Sequence, residues 1–180
     1  MSGVTPPPPH LIAGLARFNA LAVDDAVRVL MTCCGSQRWA DRMSAERPCA
    51  NPRDLFTRAD QVWFGLERED WLEAFDHHPR IGERNLDQPK FASTAAQSSR
   101  EQSGMGAASE AEKAEFTTGN AAYERRFGHV FLICATGRSA GDMLASLRAR
   151  LDNDALTELR NAAVEQAKIT RIRLERWLSA

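Results

Sequence analysis

The sequence predicts an all-α fold, a single compact helical-bundle domain of about seven to nine helices. Three observations carry that expectation. Apolar residues recur at helical spacing, most clearly Leu55, Phe56, Ala59, Val62, Trp63 and Leu66, close to the period that lines up one helix face. Helix-start signals punctuate the chain, among them Asn51-Pro52 and Ser109-Glu110-Ala111-Glu112. In the first a cap residue precedes a proline; in the second a glutamate answers the cap from the third helical position. Residues 127–135 are the best strand candidate, and they have no second strand to pair with.

The elements follow in order. Residues 1–10 contain four consecutive prolines and read as a disordered or extended leader; residues 11–180 are the expected domain. Residues 11–18 form a short apolar segment. Asp24 is the expected cap of a helix carrying Val27, Leu30 and Met31. Ser36 caps the next helix, with Trp39 and Met43 on one face and Pro48 as its end. Asn51-Pro52 opens the periodic helix named above. A shorter helix over residues 69–77 presents Trp71, Leu72 and Phe75.

Residues 84–91 are predicted as loop around Pro89. Residues 93–103 are small and polar with no apolar stripe, which fits a surface helix or one whose polar face is used. Gly104 and Gly106 end that segment. Ser109 starts a helix running to about Arg126. Residues 127–135, an isolated apolar run among helices, are expected to be a buried extended segment or a helix. Ser139 and Asp142 open a helix to Arg150. Asp152 or Asn153 is the expected cap of the last and longest helix, whose Leu156, Leu159, Ala163, Ile169, Leu174 and Trp177 suit a core-facing stripe. No internal repeat and no interdomain linker is evident.

Composition narrows the function. The chain has 180 residues, 43% hydrophobic and 26% charged, with a net charge of -1. That balance lacks the basic footprint of a nucleic-acid or membrane-surface binder. No apolar run approaches the ~20 residues of a membrane span, and the start lacks the regions of a signal peptide. Cys33, Cys34, Cys49 and Cys134 form no Cys-x-x-Cys pair. They read as reduced, mostly buried thiols of a cytoplasmic protein.

Residues 76–83, Asp-His-His-Pro-Arg-Ile-Gly-Glu, are the first candidate site. Pro79 keeps His78 from continuing a helix, and Gly82 allows a turn that other residues resist. An imidazole there is either a structural histidine favoured by a helix C-terminus or a general acid or base. His77 points elsewhere around the helix and is expected to be exposed or structural. Neighbouring histidines diverge on a helix, and neither they nor the cysteines have metal-ligand spacing. Nucleophile elbows and phosphate loops are absent from the sequence. The second candidate is Ser98-Ser99-Arg100-Glu101-Gln102, where Ser98, Glu101 and Gln102 would share a helix face. Such runs are usually solvated faces, but this one also suits a small, amide-rich ligand.

Three motifs in order, His78-Pro79-Arg80-Ile81-Gly82-Glu83, Ser98-x-x-Glu101-Gln102-Ser103 and Asn120-x-x-Tyr123-Glu124-x-x-Phe127-Gly128-x-x-Phe131-Leu132-Ile133-Cys134-Ala135, resemble the 2-oxo-4-hydroxy-4-carboxy-5-ureidoimidazoline (OHCU) decarboxylases. The resemblance extends over about residues 12–178, including Phe18-Asn19 and the Lys168-Ile169 to Leu174 segment. It implies an all-α carboxy-lyase of urate breakdown, usually a homodimer, with no metal or organic cofactor. Its product is (S)-allantoin, and functional coupling to hydroxyisourate hydrolase is a further implication. It places the catalytic acid on His78; a second catalytic role, holding a ring or ureido N–H and repelling the leaving carboxylate, suits Glu101 by its chemistry. Substrate contacts fall on Pro79, Ser98, Glu101 and Gln102, on Phe131, Ile133 and Ala135, where backbone groups are expected to contribute, and, near the site, on Arg173. His-Pro-Arg-Ile-Gly replaces the common His-Pro-Asp-Leu-Ala-Gly variant, which leaves the role of Arg80 open; His129, where an aromatic residue is common, is open too.

The chemistry agrees with those residue types. Loss of CO2 leaves an electron pair on carbon, and the substrate's conjugated ring can accept it, so pyridoxal phosphate is unnecessary. The protein must orient the leaving carboxylate, stabilise the developing charge and protonate one face. Two other classes of function remain: a non-catalytic helical ureide-binding or scaffolding domain, and a metal-dependent hydrolase using His77 and His78.

Overall fold

The computed structural model describes residues 6–82 and 103–180. Among them are eight α-helices and no strand, so the all-α expectation holds. They fall into two compact units. One comprises the chain to Asp70 together with Ile169–Ala180; the other is Trp71–Lys168.

The first unit contains α1 (Pro9–Ala20), α2 (Val23–Cys33), α3 (Gln37–Ala45), α4 (Pro52–Phe64), the first residues of α5 (Arg68–Asp76) and the end of the last helix, α8 (Ala155–Ser179). α1 begins at Pro9, inside the segment expected as leader, because proline suits the first helical position. Leu11, Leu15 and Phe18 bury its inner face. Gly14 is required there: a Cβ would stand 1.9 Å from the Leu178 carbonyl oxygen, so the two helix backbones touch. Arg17 donates to the Trp177 carbonyl at 3.0 Å and stacks on the Trp177 ring.

α2 departs from expectation. Its N-cap is Ala22, without a side-chain bond, and Asp24 and Asp25 lie in the first turn, where carboxylates favour the positive end of the helix. The next two starts are as predicted. Ser36 Oγ accepts from the Trp39 amide, and Asn51 Oδ1 accepts from the Asp54 amide at 2.9 Å. Trp39 is fully buried and its indole N–H donates to the Ala59 carbonyl at 3.1 Å, tying α3 to α4.

The second unit contains the rest of α5, a 3-10 turn (Ser103–Ala107), α6 (Glu110–Phe127), α7 (Ala140–Leu151) and the start of α8. α6 and α7 pack together and each starts with a reciprocal cap, Ser109 with Glu112 and Ser139 with Asp142. Their core includes Phe116, Tyr123, Met143, Leu144 and Leu147. α8 is capped by neither Asp152 nor Asn153. Asp154 accepts from the Thr157 amide at 2.9 Å and from the Leu156 amide at 3.0 Å. The shift has a cause: Asp152 already ends α7, and Asn153 Nδ2 donates to Glu158.

Leu156, expected in the core, is 56% exposed, whereas Glu158 is 0% exposed. Two positions apart on a helix point to nearly opposite sides, so turning Glu158 inward turns Leu156 out. Leu159, Ala163, Ile169 and Leu174 are buried as expected, and Trp177 is half-buried. None of the four cysteines is in a disulfide, and all four are buried. Among the described residues no helix is long and apolar enough to cross a membrane.

Candidate active site

The histidine turn is built by the end of α5. The helix stops at Asp76. The His77 and His78 amides still donate back, to the Ala74 carbonyl at 3.2 Å and the Phe75 carbonyl at 3.0 Å. Pro79 has no N–H to continue the series. His78 is 6% exposed and Pro79 is buried beside it. His77 is half-buried, with Nδ1 2.9 Å from the Glu73 carbonyl oxygen, so it is tied to its own helix. Gly82 completes the turn at φ 83, the left-handed region that favours glycine.

α6 holds this turn at two points one helical turn apart. Asn120 Nδ2 donates to the Ile81 carbonyl at 2.9 Å, and Asn120 is 3% exposed. Arg80 donates to both carboxylate oxygens of Glu124, at 2.6 and 2.7 Å. That bidentate pair gives Arg80 a place the sequence had left open. Ile81 itself belongs to the apolar core that contains Phe131, Ile133 and Ala135.

Residues 130–135 have neither helical nor sheet structure, which excludes the helix of the two expected forms. Phe131, Leu132, Ile133, Cys134 and Ala135 are all buried. Side chains replace a sheet neighbour for its backbone. Arg150 Nη1 donates to the Leu132 carbonyl at 2.8 Å, and the Cys134 amide donates to Glu165 Oε2 at 2.8 Å. Arg150 also donates to Glu158 at 2.7 Å; the Tyr123 hydroxyl and Asn153 Nδ2 donate to the same carboxylate. Burial pushes the Glu158 carboxyl up, but the bonds from Arg150, Tyr123 and Asn153 outweigh it and hold it below the usual range. Burial pushes the Tyr123 hydroxyl well above the usual range.

His129 joins the two halves of the site within this unit. Its ring lies 5.3 Å from Phe75 and 5.5 Å from Tyr123, and Nδ1 is 3.0 Å from the Val130 carbonyl oxygen. Phe75 precedes His78 by one turn, so the packing of His129 links the histidine turn to residues 131–135. His129 is thus a packing residue that keeps the aromatic role.

Ser98, Glu101 and Gln102 fall outside the described residues. Arg173 belongs to the first unit, where it is 1% exposed. Its charge acts on Cys34, yet burial dominates and raises that thiol to about 12, which makes Cys34 inert as a nucleophile. Among the described residues no three His, Cys, Asp or Glu side chains are grouped to hold a metal ion. Asn120, Glu124, Arg150 and Glu165 were not singled out from sequence. Asn120 and Glu124 stood inside a quoted motif, but nothing local marks their partners.

Comparison with known proteins follows the same outline. The family model for OHCU decarboxylase matches residues 19–175. The chain is 37% identical over 150 residues to the uric acid degradation bifunctional protein TTL of Arabidopsis thaliana, covering 82% of this chain and 45% of that protein. It therefore spans less than half the length of that plant relative. It is 30% identical over 131 residues to the 2-oxo-4-hydroxy-4-carboxy-5-ureidoimidazoline decarboxylase of Amia calva, covering 72% of this chain and 73% of that one. A crystal structure of OHCU decarboxylase in the presence of (S)-allantoin superposes with a TM-score of 0.72 at 34% identity, over 83% of this chain and 96% of that chain.

Proposed function

The chain belongs to the OHCU decarboxylase family, and from that premise we propose that it decarboxylates OHCU to (S)-allantoin in urate degradation. The observation that best supports this reading is the histidine turn. His78 is buried and set by Pro79 at a helix end, and the turn that follows it is clamped by α6 through Arg80 and Ile81, with Ile81 in the same apolar core as Phe131 and Ile133. A solvated surface histidine would have none of these features.

In the proposed reaction the bond between the ring carbon and its carboxylate breaks and CO2 leaves. The electron pair passes into the conjugated ring, and the same carbon is then protonated on one face. His78 donates a hydrogen bond to the developing charge, and we assign it the role of acid. The apolar wall of Phe131 and Ile133, with Pro79 and Ala135, excludes water and favours loss of charge from the substrate. Glu101 holds a ring or ureido N–H and pushes the leaving carboxylate away by repulsion. Ser98 and Gln102 satisfy the remaining amide edges, and Arg173 is assigned to substrate binding on resemblance alone. A homodimer, a cytoplasmic setting, independence from metal and organic cofactors, and coupling to hydroxyisourate hydrolase belong to the same proposal.

The test is to generate the substrate freshly from urate and follow circular dichroism. Rapid appearance of the (S)-allantoin signal is expected; decay to racemic allantoin at the uncatalysed rate would overturn the reading. His78→Asn is expected to lose about 10²-fold or more in turnover, the usual scale for a general acid, while His77→Asn stays near wild type. Equal loss in both variants would sink the assignment of His78. Stabilisation by allantoin without turnover would point instead to a ureide-binding domain.

A further inference from the structure

Residues 131–135 present an accounting problem. Every one is buried, and buried backbone groups need partners. A chain in extended conformation turns its N–H and C=O groups to alternate sides with a two-residue period. Leu132 and Cys134, two apart, send their groups to the same pair of helices. The Leu132 carbonyl meets Arg150 on α7 and the Cys134 amide meets Glu165 on α8, both at 2.8 Å. Among the described residues, the backbone N–H and C=O of Phe131 and of Ile133 have no hydrogen-bond partner. The Leu132 carbonyl and the Cys134 amide are thus consumed by side chains, and the Ala135 carbonyl accepts from the Arg138 amide at 3.0 Å, while Phe131 and Ile133 make no such bond.

We propose that Arg150 and Glu165 are positioning residues: they stand in for a missing sheet neighbour and so hold the backbone of Phe131 and Ile133 in register to read the amide edges of a ureide. This rests on the decarboxylase reading above. Neither side chain touches substrate. Each is itself anchored, Arg150 by Glu158, which is 0% exposed, and Glu165 by Lys168 at 2.5 Å. The anchoring keeps both long side chains from wandering among rotamers when the segment exchanges ligand.

The test compares Glu165→Gln with Glu165→Leu. The glutamine keeps an acceptor for the Cys134 amide; the leucine does not. Glu165→Leu is expected to raise KM and the (S)-allantoin dissociation constant about 10-fold, with kcat changed less than about 3-fold, the pattern of lost uniform binding. Glu165→Gln is expected to stay within about 2-fold of wild type in each. Where Glu165→Leu does not fold, Arg150→Lys supplies the same readout, because lysine keeps a cation beside Glu158 but lacks the fork that also reaches Leu132. Wild-type KM and ligand affinity in the folded variants overturn the proposal. Equal loss in the glutamine and leucine variants also overturns it, since charge rather than the backbone bond would then matter. An active wild type with unchanged variants sinks this inference alone; an inactive wild type that does not bind (S)-allantoin sinks the decarboxylase reading with it.

Discussion

Asn120 is the residue on which the shape of the histidine turn depends most directly. Its amide is the donor to the Ile81 carbonyl, three residues beyond His78, in a place that is 3% exposed. Asn120→Ala leaves that carbonyl unsatisfied and is expected to cost about 1–3 kcal/mol of stability. Asn120→Asp is expected to cost more, because it sets a buried carboxylate against a carbonyl oxygen. Urea unfolding measures both, and an aspartate variant as stable as wild type would overturn the assignment. The neighbouring pair of Arg80 and Glu124 is a different case. Arg80 is half exposed, and such pairs contribute little in water, so it orients the turn more than it stabilises it.

At the scale of elements, the start of α8 shows how a buried charge is tolerated. Glu158 accepts from Arg150, Tyr123 and Asn153, which together offset its desolvation. Arg150→Met removes the countercharge and leaves the carboxylate buried, so a loss of about 3–5 kcal/mol is expected. Tyr123→Phe removes one hydrogen bond to a charged group and is expected to cost about 1–3 kcal/mol. The two are compared by denaturant titration; equal losses would mean that Glu158 does not depend on its cation. The helix starts are the opposite kind of feature. Ser36, Asn51, Ser109 and Ser139 each bond an amide three residues away. Those were legible because the whole interaction lies within four consecutive residues.

For the whole molecule the carboxylates set the response to acid. Glu158 is held low by its three donors against the pull of burial. Asp54, Glu112, Asp142 and Asp154 are held low by hydrogen bonds, from Arg58 or from cap and first-turn groups. A group whose folded pKa lies below its unfolded value contributes stability that is complete above the unfolded value and is lost as pH falls through the folded one. The unfolded values are 4.5 for glutamate and 3.8 for aspartate. Tm is therefore expected to hold steady from neutral pH to about 5 and to drop below that. Asp60, pushed up by burial, works in the opposite direction and softens the drop. Scanning calorimetry from pH 7 to 3 checks this; a Tm that rises on acidification would contradict it.

Fold class, the helix starts at Ser36, Asn51, Ser109 and Ser139 and the His78-Pro79 turn were determined by sequence alone, because each rests on spacing and on bonds within one helical turn. What only the tertiary structure decided is which distant side chain satisfies which buried backbone group. Asn120 reaches Ile81 across 39 residues, Arg150 reaches Leu132 across 18, and Cys134 reaches Glu165 across 31. Asn153 was drawn from its expected cap role to Glu158, which moved the cap of α8 to Asp154 and turned Leu156 outward. The physical reason is common to all of these. A buried polar group must find a partner wherever the packed chain brings one, and no local pattern records which partner that will be.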